Sequence, residues 1–265
     1  MCIAYLALAT DPQWPLFIAA NRDEFHARPT RAAAPWPHQP TIYGGVDLQA
    51  GGTWFAVNQN GRFALLTNHR NLLLPQPVSP LSRGFLCKEF VEQTISPAAY
   101  LQQVAQQGQH YAGFNLIVGQ WQSDQQQFEC LYYSNHLQQP PVALTPGHYV
   151  LSNGFLNTPW PKSERLRQQL TGLLHTSSPT ETDKVYDILR DSVAAPSHLL
   201  PQTGLSLERE QLLSSPFIIS PDYGTRSSSV WAVAQHGHSI LHECSYNSRG
   251  IETERHSWPI PLAIA

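Results

Sequence analysis

The second residue of the chain is a cysteine, and the segment after it closes on the polar run Asn21-Arg22-Asp23-Glu24. Removal of Met1 would leave Cys2 with a thiol and a free α-amine on one carbon. Such a residue carries its own nucleophile and its own base. An α-amine titrates near ~7.7–8.0 and a thiol near ~8.5, so the pair is matched around neutral pH. No histidine is needed as base. A guanidinium such as that of Arg22, held close by, favours the thiolate. The chemistry such a set can perform is acyl transfer at an amide or thioester carbonyl.

Two strands must bring these residues together. Cys2–Ala9 is a continuous apolar run, the pattern of a strand buried on both faces. Asp11-Pro12-Gln13 reads as a turn and Pro15–Ala20 as the returning strand. A hairpin centred near Pro12 or Gln13 pairs Cys2 with Arg22 or Asp23.

Further along, residues 28–51 are Pro-rich and aperiodic and read as a loop over the site. Thr53–Asn58 and Arg62–Asn68 form a second hairpin at Asn60-Gly61, which returns Asn68 to the vicinity of Thr53. Ser79-Pro80 and Ser96-Pro97 each read as an N-cap followed by Pro at the first helical position, opening helices to Gln93 and Gln107. Phe85, Leu86, Phe90 and Val91 share a face of the first. Strands follow at Phe114–Val118, Phe128–Tyr133 and Tyr149–Ser152. Helices are expected from Trp160-Pro161 to Leu174 and from Thr180 to Val193. After an irregular stretch over 195–216, strands Thr225–Ala234 and Ser239–Tyr246 turn at His236-Gly237. Strands and helices thus alternate in blocks, and two sheets covered by two helical layers is the simplest packing.

Composition bounds the function. The chain has 265 residues and is 42% apolar, enough for a full core, and nothing divides residues 1–265 into separate domains. Charged residues are only 13%, below the usual ~25%. The net charge of −3 argues against nucleic acid or an anionic membrane as the main partner. No apolar run approaches the ~20 residues of a transmembrane helix. The N-terminal stretch has neither the basic flank nor the small-residue cleavage site of a signal peptide. Cys2, Cys87, Cys130 and Cys244 have no paired spacing, so reduced thiols in a cytoplasmic protein are expected. His236, His238 and His242 fall on a polar turn, and no metal site is assigned to them.

Several short motifs occur in order: Met-Cys at the start, AANRDEF at 19–25, AGGTW at 50–54, LTN at 66–68, GFNL at 113–116, LSN at 151–153, TPWPK at 158–162 and GTRSS at 224–228. Together they resemble the NRDE family, that of the transport-and-Golgi-organisation-2 protein, across nearly the whole chain. His69, where the family commonly has Tyr, and Cys87-Lys88 are small departures. The resemblance implies an α+β fold, a four-layer αββα sandwich of two antiparallel sheets covered by helices, of the N-terminal-nucleophile (Ntn) hydrolase type. It is distantly similar to the choloylglycine hydrolase and penicillin V acylase group. Carried over by motif, Cys2 is the nucleophile, Asp23 orients the amine and Arg22 is the nearby cation. Asn68 and Asn153 are oxyanion-side donors, a kind of group usually worth ~2.7–4 kcal/mol each. Arg226 is a further cation, either on the substrate side or one layer behind the reacting groups, and, with Arg22, lowers the thiol pKa. The ligand-binding set is Asn21, Arg22, Asp23, Glu24 and Arg226.

Two functions follow from the resemblance. The first is binding and trafficking of a small amphipathic anionic ligand, haem first and acyl-CoA or lipid next, in an apolar cleft rimmed by Arg22, Arg28, Arg70 and Arg226. Haem enters only as carried ligand, held non-covalently, and catalysis needs no cofactor. The alternative is a cysteine amidohydrolase or acyltransferase, which requires that Met1 be removed. The oligomeric state is not set by the sequence.

Overall fold

The computed structural model describes residues 2–263. In chain order the strands β1 Cys2–Asp11, β2 Trp14–Phe25, β3 Thr30–Trp36, β4 Gln39–Asp47, β5 Phe55–Asn58 and β6 Arg62–Asn68 come first. The helices α1 Gly84–Glu92 and α2 Pro97–Gln107 follow, then β7 Phe114–Gln122, β8 Gln127–Ser134, β9 Val142–Ala143 and β10 Gly147–Leu151. The helices α3 Pro161–Thr176, α4 Thr182–Leu189 and α5 Leu207–Leu212 precede β11 Tyr223–Val233, β12 His238–Tyr246 and β13 Glu252–Pro261. Among the described residues the strands form a six-stranded sheet ordered β10-β1-β2-β11-β12-β13 and a seven-stranded sheet ordered β3-β4-β5-β6-β7-β8-β9. Named neighbours all pair antiparallel.

Three cores define four layers. Successive residues of a strand point to opposite faces, and here both faces are covered. Leu6, Ile18 and Trp231 of the first sheet meet Phe63, Ile117 and Phe128 of the second between the sheets. Tyr5, Phe17 and Val230 turn the other way, onto Leu166 and Leu170 of α3 and Val185 of α4. Ala64, Leu116 and Leu131 pack on Leu86, Phe90 and Leu101 of α1 and α2. Burial on both faces explains why β1 and β2 read as unbroken apolar runs. The αββα order is the expected one. Among the described residues no helix is long and apolar enough to cross a membrane.

The first hairpin has the expected register, with Cys2 opposite Arg22. The Asn60-Gly61 hairpin also forms, Gly61 having φ 70°, and a Cβ there would lie 2.6 Å from Cβ of Trp121. The Ser96 side chain caps α2 by accepting from the Ala99 N–H.

Several expected elements differ. Residues 28–51 are not a loop: β3 and β4 build the edge of the second sheet. The buried Glu243 carboxylate accepts from the Ala33 N–H at 2.6 Å, and the Trp258 indole donates to the Ala33 carbonyl at 2.8 Å. Prolines hid this hairpin, but an edge strand tolerates them. The first helix begins at Gly84, not at Pro80, because Leu81 is tied to Tyr111 in a parallel bridge. Its buried face carries Cys87 in place of Phe85, which is exposed. The fourth helix stops at Leu189, whose carbonyl accepts from the Asn21 amide, and Thr180 does not cap it. The stretch 195–216 contains α5, and 252–261 adds β13, whose charged, exposed side chains suit a sheet edge.

Candidate active site

The hairpin β1–β2 builds one wall of a cleft of about 270 Å³. Cys2, Arg22, Asp23 and Glu24 lie on that wall. The opposite wall is Thr53, Trp54, Leu66 and Asn68, with the segment 80–84 closing one side and Arg28 and Asp47 the mouth. Gly52 and Gly84 let two chain segments touch there: a Cβ on Gly52 would sit 2.5 Å from the Gly84 carbonyl carbon. The Thr53 N–H donates to the Gly84 carbonyl at 3.1 Å, which fixes α1 against the cleft.

Cys2 is 8% exposed and lines the cleft. Burial pushes its thiol up, and the Asp23 charge adds to that; Arg22 and a backbone hydrogen bond from Asp23 pull the other way. The expectation that arginines hold Cys2 as thiolate is therefore corrected: desolvation outweighs them. Asp23 is buried beside it. Its Oδ1 accepts from the Thr225 hydroxyl at 2.7 Å, and Thr225 in turn accepts from the Ile218 N–H at 2.9 Å. Burial pushes the Asp23 carboxyl up as well, while the charges of Lys162 and Arg22 and the Thr225 bond pull it down.

Arg22 sits over Trp54, its guanidinium carbon 4.0 Å from the ring centroid, and donates to Thr30 Oγ1 at 3.0 Å. Aromatic stacking of this kind holds a guanidinium with a vector fixed toward its surroundings. Arg28 is committed to Asp47, with bonds of 2.9 and 2.7 Å, and approaches Glu24 at 4.0 Å.

Asn68 lines the cleft, but Asn153 does not. Asn153 is fully buried behind it and donates to the Asn68 carbonyl at 3.0 Å, so it acts on the cleft through Asn68. Asn21 also lies outside. Its amide donates to the Leu189 and Pro216 carbonyls and accepts from Ser228, on the helical side of the sheet. Arg226 sits in a bulge between Thr225 and Ser227. Bulges re-aim side chains, and this one donates to the carbonyls of Phe25, His26 and Arg28, clamping the turn after β2 rather than facing the cleft. Arg70 is paired with Glu210 at 2.8 Å in the interior.

The cleft is thus charged rather than apolar: Arg22, Arg28 and Arg83 stand against Asp23, Glu24 and Asp47. Arg83 and Lys162 were not expected in the site. Arg83 lines the cleft and donates to the Gly113 carbonyl at 2.9 Å; burial lowers its pKa, while the charges of Glu24 and Cys2 raise it. Lys162 is buried behind Asp23. Its only sequence signal is a lysine in the first helical turn directly after Pro161. Among the described residues no cluster of three or more His, Cys, Asp or Glu could hold a metal ion. Met1 lies outside the described residues, so its removal is not addressed by the geometry.

Comparison with known proteins places the chain. The family model "Transport and Golgi organisation 2" matches residues 1–248. The Transport and Golgi organization protein 2 homolog of Bos taurus is 31% identical over 259 residues, covering 92% of this chain and 93% of the relative. That of Homo sapiens is 32% identical over 260 residues with the same coverage. The Drosophila melanogaster protein aligns over 127 residues at 32% identity, 44% of this chain and 45% of its own length. Among solved structures, a Caenorhabditis elegans ortholog of N-acylethanolamine-hydrolyzing acid amidase aligns with TM-score 0.42 and 11% identity over 86% of this chain and 92% of that one. A C2A mutant of conjugated bile acid hydrolase from Clostridium perfringens aligns with TM-score 0.43 and 8% identity over 98% and 92%. By its family model and its full-length relatives, the chain belongs to the Transport and Golgi organisation 2 family.

Proposed function

We propose that the cleft is an acyl-transfer site of the N-terminal-nucleophile type, which makes the protein a cysteine amidohydrolase or acyltransferase acting on a small acyl-amide or thioester. The register that sets Cys2 opposite Arg22, with buried Asp23 next in line, carries this reading. Once Met1 is removed, the Cys2 amine takes the thiol proton and the sulfur attacks the carbonyl. The oxyanion is met by Asn68 and by the charge of Arg22 or Arg83. Collapse breaks the C–N or C–S bond, and the proton held on the amine passes to the leaving group. Water, deprotonated by the same amine, then releases the acyl group and restores the thiol. Asp23 holds the ammonium form in place. Because the thiol is pushed up by burial, the local base is required: the sulfur reacts as its proton leaves, not as a standing thiolate.

Intact-mass spectrometry tests this. Protein shown to lack Met1 gains the mass of the acyl group when given an acyl-CoA or an activated acyl-amide, and Cys2→Ala does not. Absence of both adduct and hydrolysis across short and long acyl chains would sink the reading.

The second reading is carriage without turnover. Arg22 and Arg83 favour it, since they offer charge to a carboxylate or phosphate while Arg28 is already paired. The cleft, at about 270 Å³, is smaller than the ~300–1,000 Å³ that encloses a typical ligand. That size suits the head of an acyl thioester better than haem, whose macrocycle would rest in the mouth. Titration of Cys2→Ala protein with haem and with acyl-CoA separates the two ligands, and no saturable binding of either removes this reading.

A further inference from the structure

Lys162 is one of three lysines in the chain, with Lys88 and Lys184. The other two sit on helix surfaces beside carboxylates in the same helical turn. Lys162 is instead 2% exposed, an arrangement that costs free energy unless the charge does something. We propose that Lys162 is a positioning residue of the cleft, whose ammonium orients Asn153, supplies the counter-charge of Asp23 and biases Cys2 toward its ionised form. This rests on the Cys2 site described above, but not on turnover there.

The geometry runs from α3 to the cleft wall in two steps. Lys162 Nζ donates to the Leu213 carbonyl at 2.9 Å and makes a longer contact of 3.5 Å to Asn153 Oδ1. An ammonium can only donate. It therefore turns the carbonyl end of the Asn153 amide toward itself and the NH₂ end toward the Asn68 carbonyl. Asn68 is the cleft residue so fixed. Pro161 at the first helical position and the Trp160 ring, 6.0 Å from Nζ, hold the helix start that aims the lysine inward.

The charged groups facing the ammonium come from four places in the chain. Asp23 comes from β2, Cys2 from β1 and Glu210 from α5, and all three favour the protonated amine; Arg70, after β6, opposes it. Burial pushes the Tyr223 phenol of β11 up, the charges of Asp23, Cys2 and Glu24 add to that, and Arg70 opposes it, so the phenol stays neutral beside them. Burial dominates and brings the lysine down to about 8. The amine is then mostly charged at neutral pH and loses its charge just above it. Asp23 and Cys2 feel that loss as the removal of a nearby cation.

Two measurements on folded protein test this, and neither needs a substrate. The first is NMR of protein labelled at the lysine side chains. One of the lysine resonances, that of Lys162, is expected to titrate near 8. The second is the pH dependence of Cys2 alkylation by iodoacetamide, read on the N-terminal peptide by mass spectrometry. Lys162→Gln shifts the midpoint up by about one unit, which slows alkylation roughly tenfold below the midpoint. Lys162→Arg keeps the wild-type acid limb. The proposal is overturned if no lysine resonance titrates near 8, or if folded Lys162→Gln alkylates along the wild-type profile. Should Lys162→Gln fail to fold, the lysine titration of the wild type decides. A chain that never hydrolyses an acyl-amide can still pass both tests, so the two readings fail separately.

Discussion

At the scale of single residues, the site is governed by desolvation. Cys2 and Asp23 are both buried, and both are pushed toward their neutral forms by the same loss of water. A few fixed cations and one hydroxyl set how far that goes. Asp23 is the most exposed to test. In the proposed mechanism Asp23 holds the Cys2 ammonium, and Asp23→Asn keeps the shape but replaces that carboxyl with a neutral amide. Loss of acyl transfer of roughly 10²-fold or more is expected, the usual scale for a misplaced proton-transfer partner. Single-turnover acylation of Cys2 measures it. Arg226→Ala makes the contrast, because its guanidinium clamps three carbonyls on the turn after β2. It should lower stability and leave acylation by folded protein within a few-fold of wild type.

At the scale of elements, the cleft depends on how strands and helices end. The bulge in β11 removes Arg226 from the cleft, and Asn21 stops α4 by taking the carbonyl of Leu189. The Gly52–Gly84 approach sets where α1 begins. Capping of α2 is the separable case, since none of residues 96–107 lines the cleft. Ser96→Ala removes the acceptor for the Ala99 N–H. It should cost about 1 kcal/mol in chemical denaturation and leave Cys2 chemistry unaltered.

For the whole molecule, pH acts through half-buried imidazoles. His69 Nδ1 lies 2.9 Å from His136 Nδ1, its ring stacks on Phe155, and burial with the neighbouring imidazole lowers it to about 4. The unfolded imidazole takes up a proton near 6.5. Between these two values unfolding absorbs a proton, so acid favours the unfolded chain and stability declines from about pH 6.5 toward 4. His136 and His148 are lowered in the same direction. Urea midpoints measured across that range should fall with acid, and less steeply in His69→Gln.

How much of this was legible in the sequence divides along a physical line. Local pattern was enough for β1 and β2, for the Asn60-Gly61 hairpin and for the Ser96 cap, because each depends on neighbours in the chain. Hairpin symmetry alone set Cys2 against Arg22 or Asp23, of which the strand pairing takes Arg22, and motif order alone marked the family. Other features depend on partners far away in sequence. The β3–β4 edge is held by Glu243 and Trp258, more than two hundred residues on, and its prolines concealed it. Arg70 read as a rim cation until Glu210 took it inside. The cleft's charged character, the height of the Cys2 thiol and the burial of Lys162 arise only when four layers exclude water. The sequence determined which groups were present and which strands were next to one another. Tertiary packing decided which of those groups lost their water, and so which charges remain to act on Cys2.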